Sequence, residues 1–338
     1  MRRIVLLLVA QALAAGCAPH QAEPVAGPAP QPPPLVDPAR RAGKPLVLVA
    51  MPDSASFRSV RHALVDEIKK DFDVVTHIVD GKTTLADFTL EIDNGKPTCV
   101  VLMDNPTVRL FRAYQKSHRG PSPAALVVMA SFLEEVRGDL SNATGVAYEV
   151  PGVTAFVNLR SVVERAINRV GVVHRPSFRR FMNRQQALAA KEQVKIVAEE
   201  VPAEASAADV RNALARLRSA GIDALWVLND NALLRDAQFL EAAWRPEIAS
   251  LGVPVVVGVP TLVSAEARFG TFAVLPDLEA LGVQAANVLF EVSENDWKAS
   301  DHAVELPVST VTVVNMRQVR EHFGLREGAS RRIDKAIE

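Results

Sequence analysis

Polar side chains follow the predicted strands at the points where the strands end, and their types suit the binding of a small ligand. The apolar run from Leu225 to Leu228 predicts a buried strand, and Asn229 and Asp230 follow it directly. A carboxylate that is partly removed from water is costly unless it is paired, so a cationic ligand group would be a natural partner for Asp230. The alternative role of Asp230 is the N-cap of a following helix.

The other candidates for ligand binding also follow predicted strands, and each has a structural alternative. The ring of Tyr148 could cover a ligand while its hydroxyl bonds to it, or it could pack at a hinge. Ser54 and Ser56 could help a helix start to bind a carboxylate, or they could simply cap that helix. The remaining candidates, which could equally be ordinary loop residues, are Asp104, Asn105, Ser131, His174, Ser177 and Thr261.

Short apolar runs alternate with helical segments from Pro45 onward, which predicts an α/β fold. Two consecutive sets of these units predict two doubly wound parallel-sheet lobes joined by a hinge. We assign residues 45–150 and 262–295 to lobe 1, and residues 151–261 and 300–325 to lobe 2. Ligands of such sheets lie beyond the carboxyl ends of the strands, which here means the cleft between the lobes. We expect the charged tail 326–338 to be frayed.

The first seventeen residues have the pattern of a secretory signal. Arg2 and Arg3 precede an apolar stretch that is too short to span a bilayer. The segment 13–17, Leu-Ala-Ala-Gly-Cys, resembles the lipobox of bacterial lipoproteins, which implies lipidation of Cys17. The alternative is an ordinary secretory signal with an incidental cysteine. Residues 18–44 follow as a disordered tether, because eight prolines between 18 and 38 favour an extended chain.

Composition argues against several classes of function. The formal net charge is −1 and only 5% of the residues are aromatic, so we expect no binding to nucleic acid. The seven histidines show no metal-ligand spacing, and no phosphate-binding or nucleophile motif occurs, so we expect no metal, no cofactor and no catalysis. Cys99 begins an apolar run and is predicted to be a buried strand residue without a disulfide.

Several segments between about residues 140 and 325 resemble one family, in its order and spacing. Residues 142–151 resemble its "TGVSY" segment, and residues 223–231 resemble its "D-A-hydrophobic run-x-D-N" signature. Residues 169–173, 251–255, 281–286 and 313–325 resemble further segments. The family is the tryptophan/tyrosine-type (TrpX-like) group of ABC-transporter substrate-binding proteins, which has a type I periplasmic-binding fold. In that family the aspartate matching Asp230 points into the cleft, where it could hold a ligand ammonium.

The resemblance implies a monomeric, lipid-anchored solute-binding protein of the bacterial cell envelope, facing the periplasm. It would capture a small molecule such as an amino acid between its lobes and dock on an inner-membrane ABC permease. Two alternatives on the same scaffold stay open: a ligand sensor for a signalling partner, and a structural or assembly protein of the cell envelope. Ala18, which follows Cys17, leaves the choice between inner and outer membrane open.

Overall fold

The computed structural model describes residues 43–264 and 269–338. The predicted signal peptide with Cys17, and the tether up to residue 42, lie outside the described residues. Across the described ranges, no helix combines the length and apolar character that crossing a membrane requires.

The first sheet has five parallel strands and forms the centre of lobe 1. The strands are β1 (Leu46–Met51), β2 (Asp73–Ile78), β3 (Cys99–Met103), β4 (Ala124–Val128) and β5 (Ala143–Gly145), in the order β2-β1-β3-β4-β5. The helices between them are α1 (Ala55–Ile68), α2 (Leu85–Gly95), α3 (Asn105–Ser117) and α4 (Leu133–Arg137). All residues of β1, β3 and β4 are buried, because helices cover both faces of the sheet.

The second sheet has seven strands and forms the centre of lobe 2. The strands are β6 (Arg169–His174), β7 (Lys195–Glu200), β8 (Ala224–Val227), β9 (Val255–Val257), β10 (Phe272–Pro276), β11 (Thr310–Asn315) and β12 (Lys335–Ile337). Their order is β12-β11-β10-β9-β8-β6-β7, so β6 to β10 repeat the strand order of the first sheet. The predicted fold class, two parallel-sheet α/β lobes, is therefore confirmed, with β11 as an antiparallel strand beside β10.

The helices of the second half are α5 (Gly152–Val162), α6 (Arg179–Lys191), α7 (Ala207–Ser219), α8 (Ala237–Phe239), α9 (Arg245–Leu251), α10 (Leu278–Glu294) and α11 (Met316–Gln318). A π-helical turn, Leu240–Trp244, joins α8 to α9, and another, Val319–Phe323, follows α11. Short 3-10 turns lie at Pro176–Phe178, Pro260–Leu262, Ala299–Asp301 and Ala329–Arg332.

Within the described residues, the chain passes between the lobes three times. It leaves lobe 1 after β5 and enters lobe 2 at α5. After β10 it returns to lobe 1, where α10 packs on α1. It returns to lobe 2 at β11. The first and third crossings are hydrogen-bonded side by side, since Glu305 donates its N–H to the carbonyl of Gly145 and accepts the N–H of Ala147. These paired crossings form the connection about which the lobes could hinge.

Two details of the predicted organisation are wrong. Strand 272–275, which we assigned to lobe 1 with the helix after it, lies in the second sheet between β9 and β11. The alternation of strands and helices is local, so it does not reveal which sheet a strand joins. The tail is not frayed throughout, because Lys335–Ile337 pairs with β11 and the carboxylate of Asp334 accepts the N–H of Thr312 at 2.7 Å.

Candidate ligand-binding site

The strand order of each sheet reverses beside its first strand, and ligands of doubly wound sheets bind at that point. In lobe 1 the reversal lies between β1 and β3, which end near Ser54 and Asp104. In lobe 2 it lies between β6 and β8, which end near Arg175 and Asp230. The two regions where most of the candidate residues cluster are therefore the regions that the topology favours for binding.

A small cavity lies where the first crossing enters lobe 2. Its volume is about 30 Å³, which is room for one or two water-sized groups. The cavity is lined by four aromatic rings, which belong to Phe132, Tyr148, Phe181 and Trp226. Polar atoms come from Glu149 and Asn229, and aliphatic side chains of β8, β9 and β10 complete the walls. Of the residues predicted to bind ligand, Tyr148 and Asn229 are the two that the structure brings together here.

The ring of Phe132 closes the cavity from the side of lobe 1. Phe132 follows β4, but its ring packs among the core residues of lobe 2, with ring centroids 4.3 Å from Phe178 and 5.0 Å from Phe181. Its backbone is left-handed, with φ of +56°, a conformation that costs a residue other than glycine about 1–2 kcal/mol. The aromatic contacts and the hydrogen bond to its N–H offset that cost.

Glu149 supplies that hydrogen bond and is the main residue that our sequence reasoning missed. Its Oε2 accepts the N–H of Phe132 at 2.8 Å. Its Oε1 is buried and has no hydrogen-bond partner in the part of the chain that the structure describes. Burial raises the pKa of Glu149 from 4.5 to about 7, with a smaller contribution from the negative charge of Glu135. The carboxylate therefore changes charge near neutral pH.

Asn229 presents a second unpartnered acceptor to the same cavity. Its Nδ2 donates to the carbonyl of Gly258 at 3.2 Å, which fixes the orientation of the amide. The Oδ1 atom is buried, and no described residue donates a hydrogen bond to it. A Cβ added at Gly258 would lie 2.3 Å from this oxygen, so glycine is required for the amide to occupy its place. The acceptor is thus held rigidly beside the cavity.

Asp230 already has a positive partner within the protein. Arg175 donates to it through Nε at 2.6 Å and through Nη2 at 2.7 Å, and these bonds raise the pKa of the arginine. The side chain of Asp230 is 1% exposed, and its Oδ1 also accepts the N–H of Ala232 at 2.9 Å. The pair forms because β6 and β8 are neighbours in the sheet, a relation that sequence spacing does not reveal. The ligand-binding role of Asp230 stays a prediction, but its charge does not require a cationic ligand.

The other candidates in lobe 1 have structural partners or are exposed. The side chain of Asn105 pairs with the backbone of Ser131, accepting its N–H at 2.7 Å and donating to its carbonyl at 3.2 Å. Asp104 caps α3 by accepting the N–H of Thr107 at 2.8 Å, and burial raises its pKa. Ser54 stands at the N-cap of α1 without a capping bond from its side chain, and Ser56 is exposed.

In lobe 2, Ser177 and Thr261 are exposed residues of short 3-10 turns, and they do not line the cavity. His174 is not a surface loop residue, because it ends β6 and is 6% exposed. Its Nδ1 lies 3.0 Å from the carbonyl of Arg175 and donates to it in the corresponding tautomer. Binding by these three residues stays a prediction.

Ion pairs tie the lobes together beside the cavity. Arg184 of α6 reaches α4 of lobe 1, with Nη2 2.8 Å from Glu135 Oε1 and 3.1 Å from Glu134 Oε2. Exposed pairs of this kind contribute about 1 kcal/mol or less each. These pairs therefore add a modest electrostatic contribution to the aromatic contacts that Phe132 makes with lobe 2.

The chemistry of the remaining titratable groups is limited. Cys99 is buried in β3 as predicted, and desolvation raises its pKa to about 12, so it is not a reactive thiol. In the described parts of the chain, no cluster of three or more His, Cys, Asp or Glu side chains is arranged to hold a metal ion.

Sequence signals for the missed residues were present but weak. Glu149 is an acidic residue between Tyr148 and the apolar pair Val150-Pro151. An isolated charged residue in an apolar segment between two lobes is a signal for a binding residue. Trp226 lies within the apolar strand before Asn229, where strand burial was a sufficient explanation. For Phe132, no local pattern indicates insertion into the other lobe.

Comparisons with known proteins place the fold among solute-binding proteins. No protein-family model and no curated protein matches the sequence. A substrate-binding protein with adhesive properties from Clostridium difficile, in a ligand-free open state, matches with a TM-score of 0.62 at 15% identity, over 87% of this chain and 99% of that chain. An ABC domain in complex with L-Trp from Streptococcus pneumonia matches with a TM-score of 0.59 at 15% identity, over 87% and 100%.

A conserved domain protein from Vibrio cholerae also matches, with a TM-score of 0.58 at 17% identity, over 87% of this chain and 99% of that chain. At these identities the similarity establishes the fold, and it confirms the predicted type I periplasmic-binding architecture. Of these three neighbours, the one from Clostridium difficile is described as a substrate-binding protein, and none is described as an enzyme.

Proposed function

We propose that this protein is a lipid-anchored solute-binding protein that captures a small molecule between its lobes for import by an ABC permease. The observation that carries the proposal is the cavity at the first crossing. Its walls come from both lobes, and it contains two buried oxygen atoms, on Glu149 and Asn229, that have no partner among the described residues. Unpaired buried acceptors cost about 1–3 kcal/mol each. A ligand that donates to both would recover that cost and favour the closed arrangement of the lobes.

The small volume of the cavity fits a closed state in which only part of a ligand would be enclosed. Solute entry then requires the lobes to separate at the crossings, with Phe132 leaving its contacts to Phe178 and Phe181. The structural neighbour from Clostridium difficile is described as open, and the one from Streptococcus pneumonia as bound to L-Trp. Both descriptions support an open-to-closed cycle for this chain.

The anchor belongs to the same proposal and has its own test. Lipid on Cys17, followed by the proline-rich tether, would hold the lobes near the membrane on its periplasmic side. The full-length protein expressed in a bacterium should partition into the detergent phase in Triton X-114. A Cys17→Ser variant should move to the aqueous phase. Equal partitioning of the two proteins would contradict lipidation.

Ligand capture is tested by native mass spectrometry of residues 18–338, purified without denaturation. Calorimetry with a panel of amino acids and amines should follow. The variant Ala155→Val adds methyl groups at a cavity-lining position that is 5% exposed, and we expect it to weaken binding at least tenfold. Ala187→Val, an exposed position on α6, is the matched control and should bind as the wild type does. A protein that carries no ligand and binds nothing in the panel would contradict capture.

A second candidate is a structural protein of the cell envelope on the same scaffold. The insertion of Phe132 into the core of lobe 2 favours it, because this contact joins the two lobes through a side chain of the protein itself. Small-angle X-ray scattering distinguishes the two. A solute-binding protein should be more extended without ligand than with it, and Phe132→Ala should extend the unliganded protein further. A radius of gyration that no ligand changes would favour the structural role.

A further inference from the structure

We propose that the cavity binds the protonated amine of the captured molecule, and that the ligand is an organic amine without a carboxylate on the neighbouring carbon. This inference rests on the proposed function, since it names the chemical class of the solute that enters the same site. Glu149 Oε1 and Asn229 Oδ1 would accept the N–H bonds, and the four aromatic rings would surround the charge.

The two acceptors are free for a ligand because their other atoms are already engaged. Glu149 Oε2 is bound by the N–H of Phe132, and Asn229 Nδ2 is bound to the carbonyl of Gly258. Neither side chain can rotate to satisfy its remaining oxygen without breaking one of these bonds. The site therefore calls for a donor of at least two N–H groups, which a primary or secondary ammonium provides and a quaternary ammonium does not.

The charge of the site favours a cation. Among the described residues that line the cavity, Glu149 is the charged side chain, and no lysine, arginine or histidine lines it. The rings of Tyr148, Phe181 and Trp226 present π-electron density that attracts a cation. Arg175 follows β6, and its guanidinium is already bound to both oxygens of Asp230. An ammonium would therefore pair with Glu149 rather than with Asp230.

The same features exclude an adjacent anion. A cavity of about 30 Å³ accommodates a terminal amine and little more. The carboxylate of an α-amino acid would lie next to that amine, among aromatic rings and two acceptor oxygens. Among the described residues that line the cavity, no positively charged side chain could pair with it. Burying an unpaired charge is strongly unfavourable. An amine whose first carbon carries only hydrogen or alkyl groups meets no such penalty.

Proton binding gives the site a distinctive pH dependence. Burial raises the pKa of Glu149 to about 7, and the negative charge of Glu135, itself paired with Arg184, contributes to the shift. The Tyr148 hydroxyl next to it stays neutral, because burial raises its pKa further. An alkylamine remains protonated throughout this range. Since the ammonium binds ionised Glu149, affinity should fall about tenfold for each pH unit below 7.

Three matched probes test the class of ligand: n-propylamine, 2-aminobutyrate, which adds an α-carboxylate to it, and 1-propanol, which is neutral. Binding is measured on residues 18–338, freed of bound ligand, by calorimetry and by tryptophan fluorescence, since Trp226 lines the cavity. We expect n-propylamine to bind at least tenfold more tightly than the other two. Glu149→Gln should weaken its binding about 10- to 100-fold and remove the pH dependence. Glu294→Gln, the same change on an exposed helix position, should leave both unchanged.

The outcomes separate the inference from the function on which it rests. If 2-aminobutyrate binds as tightly as n-propylamine, or if native mass spectrometry recovers a ligand without an amine, the inference is wrong and solute capture stands. An unchanged affinity in Glu149→Gln also overturns the inference, and Asn229→Ala checks the second acceptor independently. If no probe binds and the purified protein is empty, the inference and the proposed function both fail.

Discussion

Replacing Glu149 by glutamine should stabilise the unliganded protein at pH 8 and have much less effect at pH 4. In the folded protein, burial raises the pKa of Glu149 from 4.5 to about 7. The folded state therefore binds this proton more tightly than the unfolded state does between these two values. The stabilisation by protonated Glu149 is complete below about pH 4.5 and is lost as the pH rises to 7.

The magnitude follows from the size of the shift. A difference of about 2.5 pKa units, at about 1.4 kcal/mol for each unit, gives a loss of about 3 kcal/mol in the free energy of unfolding between pH 4 and pH 8. Glutamine does not ionise, so the variant escapes this loss. Its amide oxygen can still accept the N–H of Phe132, which keeps the left-handed turn in place.

The assay is urea-induced unfolding of the wild type and of Glu149→Gln at several pH values from 4 to 8. The quantity of interest is the difference between the two free energies of unfolding, because the other titrating groups contribute equally to both. We expect this difference to change by about 3 kcal/mol in favour of the variant as the pH rises. Glu294→Gln, on the exposed side of α10, should show no such trend. A difference that is constant with pH would refute the assignment of a buried, proton-binding carboxylate.

Three further predictions concern other parts of the fold. Burial raises the pKa of Cys99 to about 12, so this thiol should react with a thiol reagent only at the rate of global unfolding. Rapid labelling of the native protein would contradict its burial. Asp230→Ala removes the carboxylate that pairs with the guanidinium of Arg175, and it should lower the free energy of unfolding by about 3 kcal/mol. An unchanged melting temperature would contradict the view that this ion pair stabilises the fold. Gly145→Ala should destabilise by about 2 kcal/mol or more in thermal unfolding, because the added Cβ would lie 2.1 Å from a carbonyl of the neighbouring strand. Gly138→Ala, where nothing lies within 4 Å, is its control and should be close to neutral.

The location of the site was partly accessible from the sequence. Strand ends are recognisable where apolar runs stop, so Tyr148 and Asn229 could be identified as neighbours of a cleft. The partner of Asp230 could not be identified, because Arg175 lies 55 residues away and the contact depends on which strands are adjacent. We proposed Asp230 because it follows an apolar strand and matches a residue of the family that the sequence resembles. Neither reason carries information about whether a neighbouring side chain neutralises its charge.

The sequence by itself determined the alternation of strands and helices, the burial of the central strands and the presence of two consecutive α/β sets. These properties are local, because periodicity and turn residues act over a few positions. Only the tertiary structure decided that β10 joins the second sheet, that Lys335–Ile337 completes it, and that Phe132 enters the other lobe. It also left one oxygen of Glu149 and one of Asn229 without a hydrogen-bond partner among the described residues. Such features depend on which distant segments meet and on how much water they exclude, and the local pattern of residues does not encode either.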